Sequence, residues 1–324
     1  MSIVKKFLAS AALAGAMALQ GAPAQAADLT VTHWGVLMYG APFAVAREKG
    51  YFAEAGIDVE GFITSDGGGT TLRNALASEI PYGEVSLNAV VAAAQQGVEL
   101  TIVHGGAQSI GDALWITRAD AEDINGIEDL EGRAVGFTSP RSVTEALLVL
   151  SMNAAGIEDF DGRALGGIGA GLTALDQGAV DAAAILEPVW ARFQDKYKVI
   201  FKPDDLIPAI TQTVGVVRTD YLEANADQIR GIVEARRRGV EFIYENPEEA
   251  AAILAEAYDL DPAVAGQAVT SVVEMDYWSE GDMNLEEMTN MVTAMQIVGA
   301  IPEGEFDWAP LVDESYLPED LRSE

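Results

Sequence analysis

Cysteine is absent from the 324 residues. Its absence excludes disulfides, thiolate metal sites, cysteine nucleophiles and a cysteine-borne lipid anchor. Histidine is nearly as scarce, with only His33 and His104. That leaves little room for a metal site built on several imidazoles, and no metal or other cofactor is expected. Basic residues number 19 against 51 acidic ones, a formal charge of −32. Such a chain repels a phosphate backbone, so nucleic-acid binding is not expected. No Ser–His–Asp set or carboxylate pair stands at a readable spacing. Gly67-Gly68-Gly69-Thr70-Thr71 lacks the lysine of a phosphate-binding loop. What is present is ample apolar material, 49% of the chain, enough for a folded core. The length suggests two domains of ~100–200 residues each.

The N-terminus reads as an address. Lys5 and Lys6 precede an apolar run from Phe7 to Leu19, and Pro23 precedes Ala24-Gln25-Ala26. This is the three-part pattern of a cleavable secretory signal over residues 1–26, leaving Ala27 first. The run is shorter than the ~20 residues that span a bilayer, and no later stretch reaches that length without a charge. A soluble, exported protein is expected, periplasmic in a cell with an outer membrane. Loss of the two lysines takes the charge to −34. That surplus suits a saline compartment that screens self-repulsion; attraction of a cationic ligand is the alternative.

Strands and helices alternate along the rest. The pattern predicts strands over 29–34, 57–64, 84–89 and 100–104, with helices over 41–55, 70–78 and 90–96. A second series follows, with strands over 134–138 and 182–186 and helices over 142–155, 172–177 and 188–197. A faint echo links the series: Ala55-Gly56-Ile57-Asp58 and Ala155-Gly156-Ile157-Glu158 each precede a leucine-bearing helix. Strand-like 113–117 and 213–218 mark two crossings between lobes. Helices over 224–244, 247–258, 262–273 and 285–298 would then wrap the first lobe. The expected division is 27–115 plus 214–324 for lobe 1 and 116–213 for lobe 2. A cleft between two hinged lobes is a favoured small-molecule site.

Several blocks carry a family resemblance. They are Ala41-Pro42-Phe43-Ala44-Val45-Ala46-Arg47-Glu48-Lys49-Gly50-Tyr51-Phe52, Ala55-Gly56-Ile57-Asp58-Val59-Glu60, Ile127 to Gly136, Ala174 to Ala182, and Glu187-Pro188. Together they resemble the type II periplasmic solute-binding proteins of ABC importers, in the branch for nitrate, sulfonates, taurine and thiamine-precursor pyrimidines. The resemblance implies an α/β, two-lobed type II periplasmic-binding-protein fold, with parallel-rich sheets flanked by helices and two hinge strands. It implies a monomer that captures a small organic solute and docks on ABC permease subunits of the inner membrane. Related folds also serve enzymes. The pyrimidine synthases use a cysteine-rich motif that this chain lacks, and menaquinone-pathway lyases look cytoplasmic. A periplasmic sensor module is a third alternative.

Ligands of open α/β sheets gather beyond the carboxyl ends of strands, near helix N-termini. Trp34, ending the first strand, can stack on a ligand or pack in the core. Gly69, Thr70 and Thr71 can hold an anion or merely cap a helix. Asn88, read as ending the third strand, offers a donor and an acceptor, or a cap. In the second lobe Ser139, Arg141 and Ser142 occupy the matching place. Ser142 begins a capping box with Glu145, whereas Arg141 puts a cation where the helix dipole opposes it. An anionic ligand would relieve that conflict; an exposed Arg141–Glu145 pair is the alternative. Glu187 can accept hydrogen bonds from an amine, with Trp190 one turn on, or simply serve a helix start. Arg141 and Glu187 together favour an organic solute, such as an aminosulfonate or a pyrimidine-like heterocycle, over an inorganic anion.

Overall fold

The computed structural model describes residues 26–65 and 67–323. The expected signal therefore lies outside the described residues, apart from Ala26. The first series comprises β1 (Ala26–Val31), α1 (Ala41–Glu48), α2 (Tyr51–Glu54), β2 (Asp58–Ile63), α3 (Gly68–Ala77), β3 (Tyr82–Ser86), α4 (Leu87–Ala94) and β4 (Leu100–Gly105). The second comprises β5 (Leu114–Arg118), β6 (Ala134–Phe137), α5 (Val143–Ala154), β7 (Asp161–Ala164), α6 (Ile168–Asp176), β8 (Ala182–Ile185), α7 (Val189–Phe193) and β9 (Tyr197–Phe201). The chain then returns through β10 (Thr213–Arg218) to α8 (Thr219–Leu222), α9 (Ala226–Glu245), α10 (Pro247–Ala257), α11 (Pro262–Glu274) and α12 (Leu285–Ile297).

Two five-stranded sheets result, ordered β2-β1-β3-β10-β4 and β7-β6-β8-β5-β9. In the first, β1 runs parallel to β2 and β3, and β10 runs antiparallel to β3 and β4. The second repeats this plan, with β6 parallel to β7 and β8, and β5 antiparallel to β8 and β9. The expected two-lobed α/β fold is present. The carboxyl ends of the parallel strands β1, β3, β6 and β8 are where a ligand belongs.

Local chemistry explains where the elements depart from their expected bounds. The helix expected over 41–55 breaks at Gly50, whose φ of 77° is open to glycine at little cost. The helix expected over 188–197 stops at Phe193, and Tyr197–Phe201 pairs as β9 with β5. The alternating Tyr-Lys-Val-Ile-Phe run carries that strand. Strand β7, Asp-Gly-Arg-Ala, is exposed throughout and has no apolar pattern to signal it. Asn88 does not end a strand, because β3 stops at Ser86 and Asn88 lies in the first turn of α4. Nor do the last helices wrap the first lobe alone. Helix α11 packs on α7 and on α10, and α12 on α5 as well as α4, so both bridge the lobes.

One buried ion pair anchors the first lobe. Arg236 of α9 reaches Glu84 of β3 at 2.7 Å, both side chains fully enclosed. Thr213 of β10 donates to the other Glu84 oxygen at 2.9 Å, and Arg236 donates to the Ser279 carbonyl at 2.6 Å. Removing either charge would strand the other away from water. Beside it, burial lowers the pKa of His104 to about 3, with the Arg236 charge adding to the effect. The neutral ring packs with Tyr82, whose hydroxyl stands 2.7 Å from Nε2.

Candidate functional site

A cavity of about 640 Å³ opens where the two lobes face each other. Its floor and walls come from strand ends: Thr32 and His33 after β1, Ser86 and Asn88 around the end of β3, Thr138 to Thr144 after β6, and Leu186 after β8. The start of α3, Gly67 to Thr70, completes the rim. This is the placement that the strand-end rule predicts.

Of the sequence-predicted residues, Gly69, Thr70, Asn88, Ser139, Arg141 and Ser142 line this one cavity. Thr71 does not. It is fully buried, and its hydroxyl bonds to the Gly67 carbonyl at 3.2 Å and the Ser65 hydroxyl at 2.6 Å. Trp34 also lies outside the lining. Its indole stacks on Phe62 with centroids 3.7 Å apart and meets Tyr258 edge-on at 5.1 Å, which is packing. Glu187 and Trp190 line a second cavity of about 570 Å³, between α7 and α11, with Gln194, Gln267 and Ser271. Glu187 accepts from the Ala191 amide at 3.1 Å, and burial raises its carboxyl. Arg141 and Glu187 thus belong to different cavities.

Helix starts shape the rim. Gly67 caps α3 and Ser86 caps α4, neither through a side-chain hydrogen bond of its own. They stand side by side because of Gly68, where a β-carbon would come within 2.1 Å of the Ser86 hydroxyl oxygen. Ser142 caps α5, accepting from the Glu145 amide at 3.2 Å. The Glu145 carboxylate accepts from the backbone amide of Arg141. That turn frees the guanidinium from the exposed pairing considered above.

The electrostatics of the lining reverse those of the chain. Arg73 and Arg141 face the cavity, and no Asp or Glu is among the described residues that line it. Arg73 is steadied by a 2.9 Å bond to the Thr70 hydroxyl. In a chain with 51 acidic residues, a cavity whose described lining holds two guanidiniums and no carboxylate selects for negative charge. Two of its residues also take a left-handed backbone: His33 (φ 51°) and Arg141 (φ 60°), one from each lobe. Strain of this kind concentrates at ligand sites.

Polar atoms in the same place await partners. The Thr32 hydroxyl and the Asn88 side-chain oxygen are buried without a hydrogen-bond partner among the described residues. The Asn88 amide nitrogen donates to the Arg141 carbonyl, tying the first lobe to the second across the cavity. Tyr39 forms the deep end; its hydroxyl donates to Gln212 at 2.8 Å. Gln212 in turn donates to Asp112 at 2.9 Å and to the Ser109 carbonyl at 2.6 Å. Tyr277 donates to the other Asp112 oxygen at 3.0 Å. Asp112 and Gln212 lie on the two chain segments that cross between the sheets. Burial pushes the Asp112 carboxyl up to about 7.

Thr32, His33, Tyr39 and Arg73 also line the cavity and are not among the residues expected from the sequence. Arg73 had a readable signal, standing one helical turn after Thr70. Tyr39 had none, because a short turn after β1 folds it back under the cavity.

No curated protein matches the chain. Among solved structures, the periplasmic aliphatic sulphonate binding protein SsuA of Escherichia coli superposes with a TM-score of 0.70 at 18% identity. That match covers 86% of this chain and 94% of the other. The ligand-binding component of an ABC-type import system from Staphylococcus aureus, with zinc bound, gives 0.74 at 14% identity, covering 92% and 100%. The periplasmic nitrate-binding protein NrtA of Synechocystis gives 0.67 at 14%, covering 90% and 87%. These likenesses show a shared fold. The family model described as NMT1/THI5 like matches residues 38–250, about two-thirds of the sequence, and the chain belongs to that family.

Proposed function

We propose that the protein is the extracytoplasmic solute-binding component of an ABC importer and that it captures a small organic anion between its lobes. The observation that carries this reading is a cavity shared by both lobes of a strongly acidic chain, whose described lining holds two guanidiniums and no carboxylate. The names of structurally similar proteins point the same way, since two bind a sulphonate and nitrate. The cavity volume favours an organic solute, because about 640 Å³ is within the range of organic-ligand pockets.

In this reading the solute enters an open cleft, its anionic group meets Arg141 and the starts of α3 and α4, and the lobes close over it. Closure is stabilised by the ligand's differential affinity for the closed state. The closed form then docks on the permease. The signal at 1–26 delivers the protein to the periplasm, where it works as a monomer. Glu187 and Trp190, in the other cavity, leave an amine group on the solute without the support their sequence positions suggested.

The test is a thermal-shift comparison of alkanesulfonates and carboxylates with alkylammonium salts of equal length, on the native chain and on R141A. Anions should raise Tm and ammonium salts should not. R141A should weaken the anions by about tenfold to a hundredfold, as for a lost hydrogen bond to a charged group. Stabilisation by the ammonium salts alone would overturn the reading.

A further inference from the structure

The cavity is longer than its charged rim. Beyond the starts of α3 and α4 it continues between these two helices, lined by Leu72 and Leu76 on one side and by Ala89, Ala92 and Ala93 on the other. Leu72 and Leu76 are four residues apart and share one face of α3. The alanines recur along the facing side of α4, and their small side chains leave the space open. The channel reaches the surface at Gln96 and Val98, and Val98 is a large apolar side chain left 39% exposed. From Ala89 to Gln96 the channel runs about 10 Å, at 1.5 Å per helical residue.

Two ends of opposite character therefore share one cavity. At the rim stand Arg141, Arg73 and the buried Thr32 hydroxyl and Asn88 oxygen, which have no hydrogen-bond partner among the described residues. Along the helices the described lining is mainly aliphatic: Arg73 lies between Leu72 and Leu76 on α3 but turns its guanidinium back to Thr70 at the helix start, and Gln96 stands at the outer end. An inorganic anion, or one with a very short chain, would fill the rim and leave the channel to water against leucine and alanine, which is unfavourable.

Resting on the organic-anion reading above, we propose that the channel between α3 and α4 is a tail subsite. The preferred solutes are then amphiphilic anions, with the charged head at Arg141 and an unbranched apolar chain lying between the helices. Ala92 is the residue that sets how long a chain fits.

Calorimetric titration with the linear series from ethanesulfonate to decanesulfonate tests this on the unmodified protein. Affinity should rise by about fourfold per added CH₂ until the channel is full, and then level off. A92L, a side chain that a helix accepts readily, should move the levelling-off point to a shorter chain. Binding that is flat with chain length overturns the tail subsite and leaves the anion reading standing. A rise that A92L does not shorten places the tail elsewhere and also overturns the proposal. If no member of the series binds, the tail subsite is overturned, and the carboxylate arm of the thermal-shift comparison decides the anion reading.

Discussion

At the scale of single residues, the protein keeps its charges in distinct environments and each has a measurable consequence. Glu84 and Arg236 are mutually dependent, so R236M should lower unfolding stability by about 3–5 kcal/mol in denaturant titration, the usual result of stranding a buried charge. Asp112 and His104 titrate in opposite senses. The folded pKa of Asp112, about 7, lies above its ordinary value, so its stabilising contribution is present at low pH and lost as pH rises through about 7. The folded pKa of His104, about 3, lies below its ordinary value of 6.5, so stability is lost as pH falls below 6.5 toward 3. Between about 4 and 6.5 the two slopes oppose each other. D112N removes one of them, and its stability should rise with pH over that window more steeply than that of the native chain. A D112N profile parallel to the native one would contradict the assignment. Arg141 was legible in the sequence because a cation at a helix start conflicts with the dipole. Glu187 was equally conspicuous, but no local rule tells which side of a strand end faces which cavity, and its neighbour Leu186 took the place in the cleft.

At the scale of elements, helix starts build the site. Ser142 holds α5 through the Glu145 amide, and S142A should cost about 1 kcal/mol, the ordinary value of a lost cap. Gly68 lets α3 and α4 begin side by side. G68A would drive a methyl into Ser86 and should cost about 1–3 kcal/mol in chemical denaturation, as overpacking does. Partial rescue by S86G would identify that collision as the cause. The alternation of strands and helices was readable from periodicity, and so were the returning strand β10 and the long C-terminal helices. Strands β7 and β9 were not foreseen. The first is exposed and glycine-bearing, and the second follows a helix whose end carries no glycine or proline. Asn88 reads as the end of a strand because Val85, Leu87 and Ala89 alternate with Ser86 and Asn88, a period-two pattern that continues past the start of α4 at Leu87.

At the scale of the whole molecule, two sheets of the same plan face each other across one cavity, and the contacts between them come from three places. Asn88 holds the Arg141 carbonyl at the rim, Gln194 donates to Gln267 at 3.0 Å between α7 and α11, and α12 lies against both α4 and α5. The two crossing segments are themselves joined, since the Gln212 amide donates to the Ala107 carbonyl at 2.7 Å. These contacts join the two lobes at the rim, through the bridging helices and along the crossing segments. The two-lobed plan was legible from the repeated series and the two apolar crossings. The bridging role of α11 and α12 was not, because amphipathic helices do not record which of two lobes their apolar faces meet. The absence of cysteine makes closure directly measurable. Labels placed through A53C on α2 and A154C on α5, both exposed, report the distance between lobes without background thiols. With saturating hexanesulfonate the distance distribution should collapse to a single shorter value, and hexylammonium should leave it broad. Calorimetrically confirmed binding of hexanesulfonate with no change in that distribution would contradict capture of an anion by closure of the lobes.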